Sequence, residues 1–252
     1  MNGKKVVVLV VEGNTDQIVF EKFIRKIVKK YAFYVKVING DILTNKRNSD
    51  NIGAEIIQDV TNLLYKEIKL NHDDIAFIGH IIDIDGVFIP RKRFVINNDN
   101  SYTFGGRNYV YDLKNKQVIV KDELSKEKLL NSWDVKKDNI KDLFNEIRYI
   151  PQDIPYKIYY NSIDLEHVIC ERIVKDKDKE KEASKFISSL KNKFYLFEDF
   201  FNSKTPTLDY EHSWEDIFGS REWQIAKSNI RFLIEDIREI ENNTFDNQTN
   251  WE

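Results

Sequence analysis

The chain has 252 residues, of which 41% are hydrophobic and 13% aromatic, a composition that supports a folded core and excludes a disordered protein. Its net charge of −3 excludes a uniformly basic nucleic-acid binder, and its single cysteine, Cys170, excludes an intrachain disulfide and a cysteine-based zinc site. No apolar stretch approaches the about 20 residues of a membrane span, and an apolar run begins directly after Met-Asn-Gly-Lys-Lys, so we expect a cytoplasmic protein with no signal peptide and no membrane contact.

The first 85 residues predict alternating strands and helices. Unbroken apolar runs are typical of strands buried in a parallel sheet, and apolar residues spaced by three and four are typical of helices. The predicted elements are a strand at Val6–Val11, a helix from Asp16 to about Tyr31 capped by Asn14 or Thr15, a strand at 33–38, a helix at 54–68 and a strand at 75–82. This alternation predicts a doubly wound α/β sheet with right-handed crossovers.

The pattern changes after Asp85. Residues 94–120 are rich in Asn, Gly and Tyr and contain short alternating stretches, which predict a β-hairpin or small meander. The elements predicted after it are helices at 123–130 and 139–148, a strand at 156–160, a helix at 163–174, a charged solvated helix or loop at 175–185, and further helices to about Ile240. We therefore expect a sheet domain at 1–174 with an insertion at about 91–152, and a C-terminal helical extension at 175–252.

Acidic residues directly follow two of the predicted strands. Glu12 comes after the first apolar run, and Asp83-Ile84-Asp85 ends the run that begins at Ile75. Open α/β sheets bind ligands at the carboxyl ends of their strands, and carboxylates are the ligands that Mg²⁺ and Mn²⁺ prefer. Gly13 and Gly86 each follow one of these acids, as expected where the backbone passes close to a ligand. The pattern predicts a metal site whose chemistry is directed at phosphates.

This combination resembles the TOPRIM family, the catalytic domain of topoisomerases, bacterial primases and several nucleases. The family's Glu matches Glu12, and its Asp-x-Asp matches Asp83 and Asp85. The run Val-Glu-Gly-Asn-Thr-Asp is closer to the OLD-like nuclease branch, which implies a metal-binding role for Asp16; by its position alone, Asp16 is also an ordinary first-turn acid of a helix. The resemblance covers roughly residues 4–170 and implies a Rossmann-like TOPRIM sheet that binds Mg²⁺ or Mn²⁺.

A third segment, Asn161-Ser162-Ile163-Asp164-Leu165-Glu166, resembles the Asn-Pro-x-x-Glu stretch of small defence-associated TOPRIM proteins, with Ser162 in place of the Pro. There, a Glu at the start of a helix faces the same pocket. Either Asp164 or Glu166 matches that acid; we favour Glu166 as a metal ligand, with Asp164 as a helix cap.

The resemblance implies a nuclease that hydrolyses phosphodiester bonds of DNA or RNA, with tRNA among the candidates. One cysteine and 252 residues do not fit a topoisomerase or a primase, and no phosphate loop of an ATPase occurs. The implied role is the toxic effector of an antiviral, abortive-infection system with a separate sensor ATPase. The alternatives are an inactive TOPRIM-shaped regulatory or binding module, and a phosphohydrolase of small nucleotides.

Two further features bear on partners. Arg91, Lys92 and Arg93 follow the Asp-x-Asp closely and, with Gly13, are the predicted substrate-binding residues. The C-terminal third is rich in aromatic residues, which predicts either a homodimer contact or docking of the sensor, or else helices that fold back onto the sheet.

Overall fold

The computed structural model describes residues 5–37, 42–44, 52–70, 72–97, 108–146, 149–150, 154–219 and 222–243. The strands are β1 (Val6–Val11), β2 (Ala32–Val37), β3 (Ile75–Asp83), β4 (Phe94–Ile96), β5 (Tyr109–Asp112), β6 (Gln117–Val120), β7 (Tyr149–Ile150) and β8 (Ile154–Asn161). The α-helices are α1 (Asn14–Ile24), α2 (Ile52–Ile68), α3 (Glu123–Glu146), α4 (Leu165–Cys170), α5 (Lys179–Ser189), α6 (Phe194–Lys204), α7 (Tyr210–Gly219) and α8 (Ile230–Asn243).

The central sheet has the order β2-β1-β3-β8-β7, in which the first four strands are parallel and β7 pairs antiparallel at the edge. Every residue of β1 is buried, as its unbroken Val and Leu sequence predicts for a central parallel strand. The prediction of an α/β fold with a parallel sheet is confirmed, and the arrangement is Rossmann-like. The chain leaves β1 toward β2 on one side and returns to β3 on the other, so the strand order reverses between β1 and β3, where such sheets bind ligands.

Several predicted boundaries were wrong. Helix α1 ends at Ile24 rather than near Tyr31, and the helix expected at 163–174 is only Leu165–Cys170, because Glu171 takes a left-handed conformation with φ of 54° that ends it. The two helices expected at 123–130 and 139–148 are one helix, α3, because nothing between them breaks the helical spacing. The charged run forms a short 3₁₀ helix, Asp176–Asp178, and then α5.

The segment between β3 and β8 forms a small second sheet, in the order β4-β6-β5, together with α3. Strands β5 and β6 make the expected hairpin, whereas residues 98–107 lie outside the described residues. The aromatic side chains of the hairpin pack against α3. The Trp133 ring of α3 stacks with the Tyr111 ring, with centroids 6.4 Å apart, and meets the Tyr109 ring edge to face, with centroids 6.0 Å apart. The Tyr111 hydroxyl donates to the Asp85 carbonyl oxygen, so the insertion is anchored beside the turn that follows β3.

The C-terminal helices fold back onto the sheet domain. Phe197 of α6 stacks on Phe23 of α1 with ring centroids 4.7 Å apart and meets the edge of Phe20, and Trp214 of α7 packs on Tyr160 of β8. Phe197 and Trp214 have no exposed surface. This packing matches the alternative in which the helices fold back onto the sheet, while a homodimer contact or a docked sensor stays a prediction. None of the described helices is long and apolar enough to cross a membrane.

Candidate metal centre

Glu12, Asp83 and Asn161 meet at the carboxyl edge of the sheet, which we define by these three residues. Glu12 directly follows β1, Asp83 is the last residue of β3, and Asn161, the last residue of β8, is its partner in the sheet register. The Asp83 backbone N–H donates to Glu12 Oε1 at 3.2 Å, and the Asn161 side-chain amide donates to Asp83 Oδ1 at 3.4 Å. Parallel pairing thus brings together the two acids that the sequence placed about seventy residues apart.

Asp16 lies beside this edge, in the first turn of α1. Its Oδ2 accepts the Gly13 backbone N–H at 3.1 Å, and a Cβ at Gly13 would stand 3.2 Å from that oxygen, so the turn is tight. The other oxygen, Oδ1, is buried and has no hydrogen-bond partner among the described residues. Burial and then the charge of Glu166 raise the pKa of Asp16 to about 7. Asp16 is thus a first-turn acid of α1 through Oδ2, and its metal-binding role stays a prediction.

The surroundings of Asp83 also disfavour the charged form of its carboxyl group. Burial, followed by the charges of Asp16 and Glu12, raises the pKa of Asp83 well above its usual value. These shifts indicate that the acids crowd one another and lack full compensation.

Asp85 sits in a left-handed turn next to the acids. Its φ is 49°, and Gly86 follows with φ of 70°, where a Cβ would stand 2.7 Å from Ile89. Its carbonyl oxygen accepts the Tyr111 hydroxyl at 2.7 Å, so the inserted hairpin holds the turn in place. A non-glycine residue in this conformation costs on the order of 1 kcal/mol and is common at functional sites.

Two lysines that the sequence did not single out pair with the acids. Lys136 of α3 lies 2.6 Å from Asp85 Oδ2 and 3.6 Å from Glu12 Oε1. Lys179, the first residue of α5, lies 2.9 Å from Asp164 Oδ2 and 2.7 Å from Glu166 Oε2. Burial alone would lower the pKa of Lys179, but these two pairs outweigh burial and raise it above its ordinary value. Both lysines come from outside the core α/β unit.

The third acidic segment has both of its acids near the site, in different roles. Asp164 is the N-cap of α4 and accepts the His167 backbone N–H at 2.8 Å, as expected for a capping residue. Glu166 is almost completely buried, its Oε2 accepts from Lys179, and its charge contributes to the raised pKa of Asp16. His167 points elsewhere: its ring Nδ1 lies 3.1 Å from Ser162 Oγ, and burial lowers its pKa.

The predicted substrate-binding residues differ in how exposed they are and in which partners they already have. Arg91, Lys92 and Arg93 form a 3₁₀ helix shortly after the Asp85 turn, and the Arg91 side chain is 69% exposed while it pairs with Asp134 of α3 at 2.5 Å. Gly13 already uses its backbone N–H within the capping turn.

The geometry of the acids bears on whether they fit a metal ion. Among the described residues, no three Asp, Glu, His or Cys side chains are arranged to coordinate one ion, and four of the acids point toward lysines. The unpartnered buried oxygen of Asp16 and the excess of carboxylates over lysines nevertheless fit a hard divalent cation. Magnesium commonly needs only one or two carboxylates and keeps several waters.

In comparisons with known proteins, no family model, no curated protein and no solved structure matched this chain. The function must therefore be argued from the residues of the site.

Proposed function

We propose that this chain is a Mg²⁺- or Mn²⁺-dependent nuclease that hydrolyses phosphodiester bonds of DNA or RNA. The observation that carries the proposal is the buried, unpartnered oxygen of Asp16 beside the raised-pKa carboxyl of Asp83, at the point where the strand order reverses. A fold gains nothing from burying an excess of negative charge, whereas such a site can hold a divalent cation.

The candidate ligands are Glu12, Asp16, Asp83, Asp85 and Glu166, all oxygen donors, from two strand ends and two helix starts. A bound Mg²⁺ or Mn²⁺ would supply polarisation of a phosphoryl oxygen and activation of water. Asn161 orients Asp83 through its amide, and Tyr111 holds the Asp85 turn. These contacts fix Asp83 and the Asp85 turn in place before any ligand arrives, and such preorganisation favours catalysis.

The arginine-rich turn, residues Arg91–Arg93, supports a polymeric substrate. It begins six residues after Asp85 in the chain, and Arg91 and Lys92 are exposed. The Arg91–Asp134 pair is exposed and therefore contributes little to stability, so a phosphate can compete for Arg91. The lysines of the first helix and the loop after it do not share this position. Lys26 and Lys29 follow the C-terminal end of α1, whereas Asp16 lies in its first turn. The Lys26 ammonium contacts Asn192, and the Lys29 backbone N–H donates to Glu241.

The test compares a nucleic-acid polymer with mononucleotides. The protein is first treated with a chelator, then incubated with single-stranded DNA, RNA or nucleoside monophosphates, with and without Mg²⁺ or Mn²⁺. We expect cleavage of a polymer only when the metal is present. Release of phosphate from mononucleotides with polymers left intact would favour a small-nucleotide phosphohydrolase. Lack of both activities with retained polymer binding would favour a binding module.

The proposed biological role rests on the resemblance of Glu12, Asp83 and Asp85 to the TOPRIM pattern. In this proposal the chain is the toxic effector of an antiviral defence system, and a separate sensor ATPase controls it. Expression of the chain without its controlling partner should stop cell growth, and Glu12→Gln should relieve the arrest. If cells that express the parent chain grew as well as cells that express Glu12→Gln, the effector role would be contradicted.

A further inference from the structure

Lys136 is the least expected residue of the site. Its side chain has 0% exposure, and it is the only buried lysine among the described residues. A lysine is rarely buried completely unless it is paired, because the ammonium loses its hydration. It lies on the apolar face of α3, three residues after Trp133 and four before Ile140, where a hydrophobic side chain would satisfy the packing. Packing alone therefore does not account for a charged residue at this position.

The ammonium group of Lys136 lies between carboxylates from two strand ends. It is 2.6 Å from Asp85, after β3, and 3.6 Å from Glu12, after β1. A divalent cation that bridges two strand-end carboxylates would occupy this same space. In two-metal phosphoryl-transfer sites the cations stand about 3.5–4 Å apart, and each neutralises one side of the reacting phosphate.

The remaining acids leave room for one cation. Lys179 pairs with Asp164 and Glu166, whereas one buried oxygen of Asp16 has no hydrogen-bond partner among the described residues. The Asp83 backbone N–H donates to Glu12, and Asp16 accepts the backbone N–H of the adjacent Gly13, so both carboxyls lie at the same end of β1. Two carboxylates plus water are a sufficient set for one Mg²⁺ or Mn²⁺.

We infer that Lys136 takes the place of a second metal ion, so that the site binds one divalent cation, at Asp16 and Asp83, beside a fixed ammonium group. This inference rests on the proposed function for the identity of the cation. Lys136 then provides permanently the positive charge that a second cation would bring, and the insertion that carries it becomes part of the site.

The stoichiometry of Mn²⁺ binding tests the inference. The full chain is stripped of metal with a chelator and titrated with Mn²⁺ at pH 8, while electron paramagnetic resonance measures the free ion. We expect one tightly bound Mn²⁺ per chain. Two ions of similar affinity would overturn the inference and leave the proposed nuclease intact. Absence of any bound ion would overturn both.

The variant Lys136→Met keeps the length of the side chain and removes its charge. Glu12 and Asp85 then lack their cation, so we expect a second Mn²⁺ per chain and a larger Mn²⁺-induced rise in melting temperature than in the parent. Lys128→Met, an exposed lysine on the same helix, is the matched control and should keep one ion. One ion in a folded Lys136→Met protein would refute the assignment, and if that variant does not fold, the stoichiometry of the parent still decides.

Discussion

The carboxyl of Asp16 makes the metal-free protein sensitive to pH, and Asp16→Asn should remove that sensitivity. The substitution keeps the size of the side chain and leaves an oxygen to accept the Gly13 N–H. Its new amide N–H groups face acids, since the charges of Glu166 and Asp164 raise the pKa of Asp16. The change therefore removes an uncompensated negative charge without opening a cavity.

The magnitude follows from the pKa shift. The pKa of Asp16 is about 7 in the folded chain against 3.8 for the ordinary carboxyl. Below pH about 4 the group is protonated in both the folded and unfolded states, and its contribution to stability is fully present. That contribution is lost progressively as the pH rises from about 4 to about 7, because over this range the carboxyl is ionised in the unfolded chain but still protonated in the folded one. At about 1.4 kcal/mol per pKa unit, the loss at pH 8 has an upper limit of about 4 kcal/mol.

Denaturant unfolding without metal, at pH 5 and at pH 8, measures this effect. We expect Asp16→Asn to raise the free energy of unfolding by up to about 4 kcal/mol at pH 8 and by much less at pH 5. The exposed control Asp199→Asn should stay within about 0.5 kcal/mol of the parent at both pH values. Mn²⁺ should stabilise the parent at pH 8 and have little effect on Asp16→Asn. Equal destabilisation of Asp16→Asn at both pH values would refute the reasoning, since the carboxyl would then be structural rather than an unpaired charge.

Three further predictions concern activity, binding and packing. Glu12→Gln and Asp83→Asn keep side-chain size but remove charge, so both variants should fold and give circular dichroism spectra that match the parent. Both should lose cleavage activity by at least about 100-fold, because orientation and charge neutralisation fail together. If both variants cleaved at the parental rate, the binding-module function would be favoured instead. Arg91→Ala should weaken nucleic-acid binding and reduce the slope of log affinity against log salt concentration by about 0.7–0.9, as binding titrations at several salt concentrations would measure. An unchanged slope would show that Arg91 does not contact phosphate. Phe197→Ala should cost about 3–5 kcal/mol in denaturant unfolding, since Phe197 is fully buried among aromatic rings, and a cost below about 1 kcal/mol would contradict its place in the core.

The sheet and its acidic edge could be predicted because the signals are local. The strands β1 and β3 are unbroken apolar runs, and the acids follow them directly, so parallel pairing was enough to bring Glu12 and Asp83 together. Helix ends were less predictable, because they depend on single residues. The left-handed conformation of Glu171, which ends α4, has no signature in its sequence.

The two lysines show where local signals end. Lys179 lies in a run of mixed charge that predicts a solvated surface, and nothing in that run distinguishes it from its neighbours. Lys136 did have a signal: Trp133, Lys136, Ile140 and Leu143 follow helical spacing, and a lysine on an apolar face suggests a buried partner. The prediction of two separate helices, with a break before Asn139, concealed that pattern.

The distribution of charge also explains why the insertion and the C-terminal helices belong to the site. The strand ends and the two helix starts supply the acids, and acids this close would repel one another and take up protons. The insertion contributes Lys136, and α5 contributes Lys179, each against one pair of acids. The pKa of Asp83 still lies well above its usual value with both lysines in place, so the lysines position the acids without neutralising them. What remains is a negative charge that is fixed in position and incompletely compensated, and that is the condition under which a divalent cation binds strongly.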